Sequence, residues 1–310
     1  MIDISVVMSL YNESENEVYD AINSILLQTY KNFEFIIIID NPNNHKLIKV
    51  VEKYQKLDTR IKFYINEINL GLAKSLNEGI KKAKGKYIAR MDGDDISFLD
   101  RLEKQYKYLE NNKDIFLIGS MAEKINEKNK KIGSLRHPIN YEKIKKTIKY
   151  KTCFIHPSIF FRKKIFDEIE GYRNFPCAQD YDFTIRIVDL GYKVENLNEK
   201  LIKYRISESS ITGKKRLFQI LLTEYIQKLS IERKRKKGKD SFNELEIKKI
   251  EEIYKENNVE FLKINNIVLK YKEKKILFLL QIPWIYIKSK FYRKEINNRI
   301  KIFFSTFGRQ

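Results

Sequence analysis

The sequence predicts an α/β protein: a mostly parallel, doubly wound sheet followed by a mostly helical, basic extension. Three observations carry that expectation. Over the first hundred residues, short apolar runs alternate with helical patterns, the order that builds βαβ units. The run FEFIIII, residues 33–39, is apolar on both faces, as suits a strand buried inside a parallel sheet. From Lys214 onward the pattern is helical throughout.

Taken in order, runs rich in Val, Ile, Phe or Tyr predict strands at 5–10, 33–39, 61–65 and 86–91. Helical patterns between them predict helices at 15–28, 45–57 and 72–84, the first carrying Val18, Ala21, Ile22, Ile25 and Leu26 on one face. The stretch ISFLDRLEKQYKYLENN, from residue 96, reads as a further helix with Leu99, Leu102, Tyr106 and Leu109 inward. Strands are expected at 115–119 and 158–161, and a helix opening at Ala178-Gln179-Asp180-Tyr181-Asp182, running through Phe183, Ile187 and Leu190 and ended by Gly191.

Composition narrows the classes. With 310 residues and 43% hydrophobic side chains, the chain has enough apolar mass for one large core or two modest domains. Only 5 Pro and 11 Gly argue against long disordered segments. The start MIDISVVMSL has no basic n-region and no small-residue cleavage site, which predicts a cytoplasmic chain without a signal peptide. Cys153 and Cys177 form no C-x-x-C pair and read as free thiols in a reducing compartment. There is no G-x-G-x-x-G after the first strand and no G-x-x-x-x-G-K-S/T, which disfavours dinucleotide oxidoreductases and P-loop NTPases.

The chemistry concentrates in a few places. ARMDGDD, residues 89–95, puts Asp92, Asp94 and Asp95 within four positions of a chain whose formal net charge is +20. Like charges so close call either for a solvated turn or for a divalent cation, since Mg²⁺ and Mn²⁺ prefer carboxylate oxygen and recruit phosphates as further ligands. Ligands on doubly wound sheets sit beyond the carboxyl ends of the strands. There Tyr11-Asn12, Asp40-Asn41 and Asp92–Asp95 would converge on one rim. Each has a plainer reading: Asn12 as a helix cap, Asp40-Asn41-Pro42-Asn43 as a turn, Gly71 as a strand end. Asp180 and Asp182, in a first helical turn, could likewise serve the helix dipole.

The segments SLYNES, FEFIIIIDNPN, NEINLGLAKSLNEGIKKAKGKYIARMDGDD, HPSIFFRKK and AQDYDFTIRIVDLGY, in that order, resemble a family 2 glycosyltransferase with the GT-A fold over about the first 205 residues. The resemblance implies an inverting transfer of one sugar from a UDP-sugar to a hydroxyl of a glycan or lipid-linked saccharide, with a β-linkage, in surface polysaccharide biosynthesis. Carried over, Tyr11 lies beside the uracil, Asp40 contacts the base, Asp92 the ribose, and Asp94 the Mn²⁺ or Mg²⁺ that bridges the diphosphate. His156 belongs to a His-Pro pair that the family often carries near the diphosphate, where it could bind a phosphate oxygen or the metal; a structural histidine in a turn is the alternative, and His45 and His137 read as surface positions. Asp180 is the general base, with Gln179 where the family has Glu, and Asp182 is a capping or acceptor-side residue. Arg162 and Lys163 are further candidates for acceptor or phosphate contacts. The turn Asp40-Asn41-Pro42-Asn43 departs from the family's D-D-G-S type. The same resemblance divides the chain into a glycosyltransferase domain, 1–213, with a nucleotide-binding half (1–98) and an acceptor half (99–213), and a basic region, 214–310. The Q-x-x-R-W motif and spanning helices of processive synthases do not appear, so one sugar per encounter is expected.

Two other classes compete. A Mg²⁺-dependent phosphotransferase also uses D-x-D, but after its first core strand, whereas here the motif follows the fourth. A nucleic-acid-binding protein would suit the charge and the run Glu232–Lys237, but no recognised nucleic-acid motif is present, so no nucleic acid is expected as a partner. From Lys214 onward, 25 Lys and Arg face 11 Asp and Glu, a balance suited to an anionic surface. The stretch ILFLLQIPWIYI, residues 276–287, is too short to span a bilayer, with basic flanks and Trp284 and Tyr286 fitted to an interface. It predicts a peripheral contact with the inner face of the cytoplasmic membrane. A helical subdomain packed on the core or on a second copy of the chain, a homodimer, is the alternative.

Overall fold

A computed structural model describes residues 1–206, 215–272 and scattered positions between 283 and 301. Two compact units emerge: Met1–Lys145 with Thr152–Glu208, and Lys146–Lys151 with Ser209–Gln310.

In the first unit, nine strands among the described residues form one mixed sheet: β1 (Ile4–Leu10), β2 (Phe33–Ile39), β3 (Ile61–Ile65), β4 (Tyr87–Asp92), β5 (Ile96–Ser97), β6 (Ile115–Ile125), β7 (Lys131–Leu135), β8 (Phe160–Arg162) and β9 (Lys193–Arg205). Their order is β3-β2-β1-β4-β8-β6-β9-β5, with β7 hydrogen-bonded to β6. The first four are mutually parallel, β8 runs antiparallel to both β4 and β6, and β9 is parallel to β6. Two reversals cancel, so β4, β6 and β9 all end at one rim with β1 and β2.

Local chemistry explains the elements. Every residue of β1 and β2 is buried. The one charge in β2, Glu34, is matched by Lys62 Nζ at 2.7 Å, Ser5 Oγ at 2.7 Å and the Lys84 N–H at 2.6 Å. Helices α1 (Glu15–Leu26), α2 (His45–Leu57) and α3 (Leu72–Lys82) connect the parallel strands. The cap of α1 is Ser14, in a reciprocal box with Glu17, rather than Asn12. The chain then continues through α4 (Arg101–Asn111), α5 (Tyr141–Thr147), α6 (Lys163–Glu168) and α7 (Gln179–Asp189). Gly191, at φ 88°, follows α7 in the left-handed region, where its N–H bonds back to Val188.

One expected helix starts late. Residues 96–97 are the short strand β5, paired antiparallel with Ile202 and Lys203 of β9, so α4 begins at Arg101 and Leu99 is 56% exposed rather than inward. The pairing partner lies a hundred residues away, beyond the reach of local periodicity.

In the second unit, α8 (Arg216–Arg235) buries Leu217, Phe218, Leu221, Leu222, Tyr225, Ile226 and Leu229. These fall at helical spacing on one face. In α9 (Glu244–Lys272), Tyr254 stacks on Phe218 with ring centroids 5.1 Å apart. No described helix is long and apolar enough to cross a membrane. The stretch 276–287 lies largely outside the described residues, Trp284 included.

Candidate active site

Strand register builds the rim. Leu10 pairs with Ile39 and Ser9 with Asp92, so Tyr11 and Asp40 leave the sheet at one level, with Asp92 two residues short of it on the neighbouring strand. The Tyr11 side chain is exposed, while its N–H donates to Glu13 Oε2 at 2.7 Å and its carbonyl accepts from Asn44 Nδ2 at 3.2 Å. Asp40 is buried and already engaged. Its carboxylate accepts from Asn66 Nδ2 (2.7 Å), Leu70 N (2.8 Å) and Gly71 N (2.9 Å), tying the end of β2 to the loop before α3.

Asp92, Asp94 and Asp95 each present an oxygen, all within 4.8 Å of one another. Gly93 lets the turn pack closely: a Cβ there would lie 2.3 Å from Leu10 Cδ2 and 3.3 Å from Glu13 Cγ, so those side chains would have to shift. The strand end at Arg205 backs the turn: its N–H donates to Asp95 Oδ1 at 2.8 Å and its Nε to the Asp94 carbonyl at 2.7 Å. Burial, then Asp92 and Glu13, pushes Asp94 up to about 7, and burial, then Asp94, raises Asp95 well above the usual carboxylate range. Burial also raises Glu13. Oδ2 of Asp95 is buried with no hydrogen-bond partner. A hard, oxygen-only set of three carboxylates, one of them (Asp92) paired with Arg90, fits Mg²⁺ or Mn²⁺.

The second acidic group comes from α7. Ala178 precedes the helix in the left-handed region, φ 63° and ψ 16°, and its carbonyl accepts from both Tyr181 N and Asp182 N at 3.1 Å. Asp180 is raised by burial, against the opposing pull of the Tyr181 N–H and the Arg90 guanidinium, with Asp92 adding repulsion. The two acidic groups therefore feel one another around Arg90, which is ion-paired to Asp92. His156 joins them from a single 3₁₀ turn, His156–Ser158. Its Nε2 lies 3.1 Å from the Tyr172 hydroxyl, and Tyr172 stacks on Phe183 at 4.3 Å. Burial, then Arg90, lowers His156 well below its ordinary value, so it stands there as a neutral imidazole.

Three candidates do structural work instead. Asp182 is fully buried on Arg186 Nε at 2.8 Å, with Arg173 Nη1 at 3.7 Å, so it neither caps α7 nor reaches an acceptor. Arg162 donates to the Ile115 carbonyl (2.9 Å), the Leu109 carbonyl (2.7 Å) and Tyr87 Oη (2.8 Å). Lys163 Nζ bonds the Ala83 carbonyl. Neither is placed as a phosphate contact. Conversely, Arg90, Glu13, Tyr172 and Arg205 border the acidic residues and were not foreseen. Arg90 alone left a local trace, since two positions before Asp92 on a strand puts both on one face.

The model of the family described as "Glycosyl transferase family 2" matches residues 5–170. The O-antigen biosynthesis glycosyltransferase WbnJ of Escherichia coli is 39% identical over 67% of this chain and 81% of its own length. An uncharacterized glycosyltransferase of Methanocaldococcus jannaschii is 42% identical over 66% and 70%. The amylovoran biosynthesis glycosyltransferase AmsE of Erwinia amylovora is 31% identical over 71% and 82%. Among solved structures, S. aureus TarS in complex with UDP superposes with a TM-score of 0.62 at 17% identity, over 99% of this chain and 92% of that one.

Proposed function

Because the chain belongs to glycosyl transferase family 2 and has the GT-A fold, we propose that it transfers a single sugar from a UDP-sugar to a saccharide hydroxyl. The acceptor is a glycan or lipid-linked saccharide, and the product carries a β-linkage. Residues 1–213 supply the chemistry and 214–310 are an appended basic region. The observation that carries this reading is the cluster of Asp92, Asp94 and Asp95, with oxygens within 4.8 Å of one another at the carboxyl rim of the sheet, the acidic start of α7 supplying the second group. The relatives named for O-antigen and amylovoran biosynthesis support a place in polysaccharide assembly.

The two groups divide the work. A neutral sugar hydroxyl is a weak nucleophile, and Asp180 takes its proton as the oxygen bonds to the anomeric carbon. Burial, which raises Asp180, makes it a better proton acceptor once ionised. The anomeric bond to the diphosphate breaks on the opposite face, its electron pair leaving with UDP, so the configuration inverts. Asp94, with Asp92 and Asp95 beside it, would hold a Mn²⁺ or Mg²⁺, which when bound supplies Lewis-acid stabilisation of the diphosphate charge. Asp92 orients the ribose, Asp40 and Tyr11 hold the uracil, and His156 offers a neutral hydrogen bond near the diphosphate.

A panel of UDP-sugars with Mn²⁺, scored for UDP release, tests the donor class directly. Asp94→Ala should abolish release and weaken UDP binding, whereas Asp180→Asn should keep metal-dependent UDP binding while transfer falls at least about a hundredfold. Near-native turnover by the first variant removes the metal role. Parallel loss of binding and turnover in the second marks Asp180 as structural, and a wild-type chain that consumes no UDP-sugar overturns the donor.

A further inference from the structure

The segment that leads to Tyr172 is held from three sides. Arg186, itself ion-paired to Asp182, donates to the Ile169 and Gly171 carbonyls. Asn77 of α3 pairs with Tyr172 as a neighbouring strand would: Tyr172 N donates to Asn77 Oδ1 and Asn77 Nδ2 to the Tyr172 carbonyl, both at 2.8 Å. Gly171, at φ 69°, allows this close approach, because a Cβ there would lie 2.7 Å from Asn77 Oδ1 and 2.7 Å from Phe166 Cζ. The Tyr172 ring stacks on Phe183 of α7, with centroids 4.3 Å apart and planes 19° from parallel.

All of this would serve a phenylalanine equally well. What a phenylalanine lacks is the hydroxyl, and among the described residues its one hydrogen bond is to His156 Nε2, at 3.1 Å. Tyr172 is 3% exposed, and a phenol so buried needs a partner for its proton. The imidazole that supplies it stands close to the carboxyl rim. Its turn, His156–Ser158, packs on β4, where the Arg90 N–H bonds the Ile159 carbonyl at 3.0 Å, two residues before Asp92. Among the described residues no hydrogen bond engages the other ring nitrogen, Nδ1.

Both partners are uncharged, since burial raises the phenol and lowers the imidazole. In a neutral imidazole one nitrogen accepts and the other carries the proton. A buried O–H with a single partner donates to it, so Nε2 is the acceptor. We propose that Tyr172 is a positioning residue: by donating to Nε2 it fixes the His156 tautomer with the proton on Nδ1, and so offers that N–H to the diphosphate of the nucleotide. This rests on the transferase reading above. Tyr172 acts only through the imidazole, and the Asn77 and Phe183 contacts keep its hydroxyl in place.

The full chain carries only three histidines, so ¹⁵N-labelled imidazoles can be assigned one by one. In wild type without nucleotide, at neutral pH, the nitrogen shifts of His156 should show a protonated Nδ1 and a bare Nε2. The reverse pattern overturns the proposal without any variant. Tyr172→Phe keeps the ring and its stacking and removes only the O–H donor. Its melting temperature should stay within a few degrees of wild type and its His156 ring should lose the fixed tautomer. Its Mn²⁺-dependent affinity for UDP, by calorimetry, should fall about tenfold. His156→Ala should lose a similar amount, and the double variant no more than either alone. An unaltered tautomer and affinity in Tyr172→Phe, or losses that add in the double variant, overturn the proposal and leave Tyr172 a packing residue. A wild-type chain that binds no UDP defeats the transferase reading instead, while the nitrogen shifts still decide the tautomer.

Discussion

An acid buried beside other acids holds its proton, and Asp94 does so up to about 7. Below about pH 4 its carboxyl is protonated in the folded and unfolded chain alike. Between that point and 7 the unfolded chain releases the proton while the folded one keeps it, so the residue subtracts stability as pH rises through this window. Above it the loss is complete. Asp95 and Glu13, both raised first by burial, slope the same way. His156 slopes oppositely, since its lowered value makes the unfolded chain the better proton binder near pH 6. The contribution of Asp94 is therefore read as a difference. The melting temperature of Asp94→Asn minus that of wild type, without metal, should grow from about pH 5 to about pH 7.5, and Mn²⁺ should shrink it. Calorimetric scans measure this, and a difference indifferent to pH would contradict the buried-carboxylate account.

Among the elements, α7 carries the clearest strain. A side chain in the left-handed region costs about 1 kcal/mol, and Ala178 bears it so that its carbonyl can receive two N–H groups of the first turn. Ala178→Gly should be neutral or stabilising by up to about 1 kcal/mol, and Ala178→Val destabilising by about 1–2 kcal/mol, measured by denaturant titration. A Val variant as stable as wild type would exclude the strain. Such backbone detail was not legible in the sequence, although the helix itself was. β1 to β4 and α1 to α3 could be read because each is set by its own periodicity. The rim follows from the rule that parallel strands present ligands at their carboxyl ends, which places Tyr11, Asp40 and Asp92 at one end of the sheet. What escaped depends on distant partners: β5 exists through β9, Tyr172 meets His156 across sixteen residues, and Arg205 reaches the acidic turn from the end of the sheet. The expected capping or acceptor role of Asp182 fails for the same cause, and Arg162, an open candidate, resolves the same way. Their types fit a site, and only buried, matched partners reveal them as struts.

Over the whole molecule, the +20 formal charge sits unevenly, and the helices from Arg216 onward bury one face while presenting many lysines outward. We propose that this basic region holds the enzyme on the inner face of the cytoplasmic membrane, near a lipid-linked acceptor. Liposome flotation should show binding to anionic vesicles, weakened by salt, and little to neutral ones. Equal, negligible binding to both would remove the membrane and leave a helical subdomain or a homodimer face, which sedimentation would distinguish. The acidic turn raises a matter of time as well as place. Asp92 to Asp95 are neighbours in the chain, yet Asp95 is held by the backbone of a residue 110 positions later. A nascent polypeptide emerging from the ribosome would expose the complete motif long before β9 exists to brace it. The braced acidic turn is thus among the last parts of this unit to come into being, a property of the finished sheet and not of the motif.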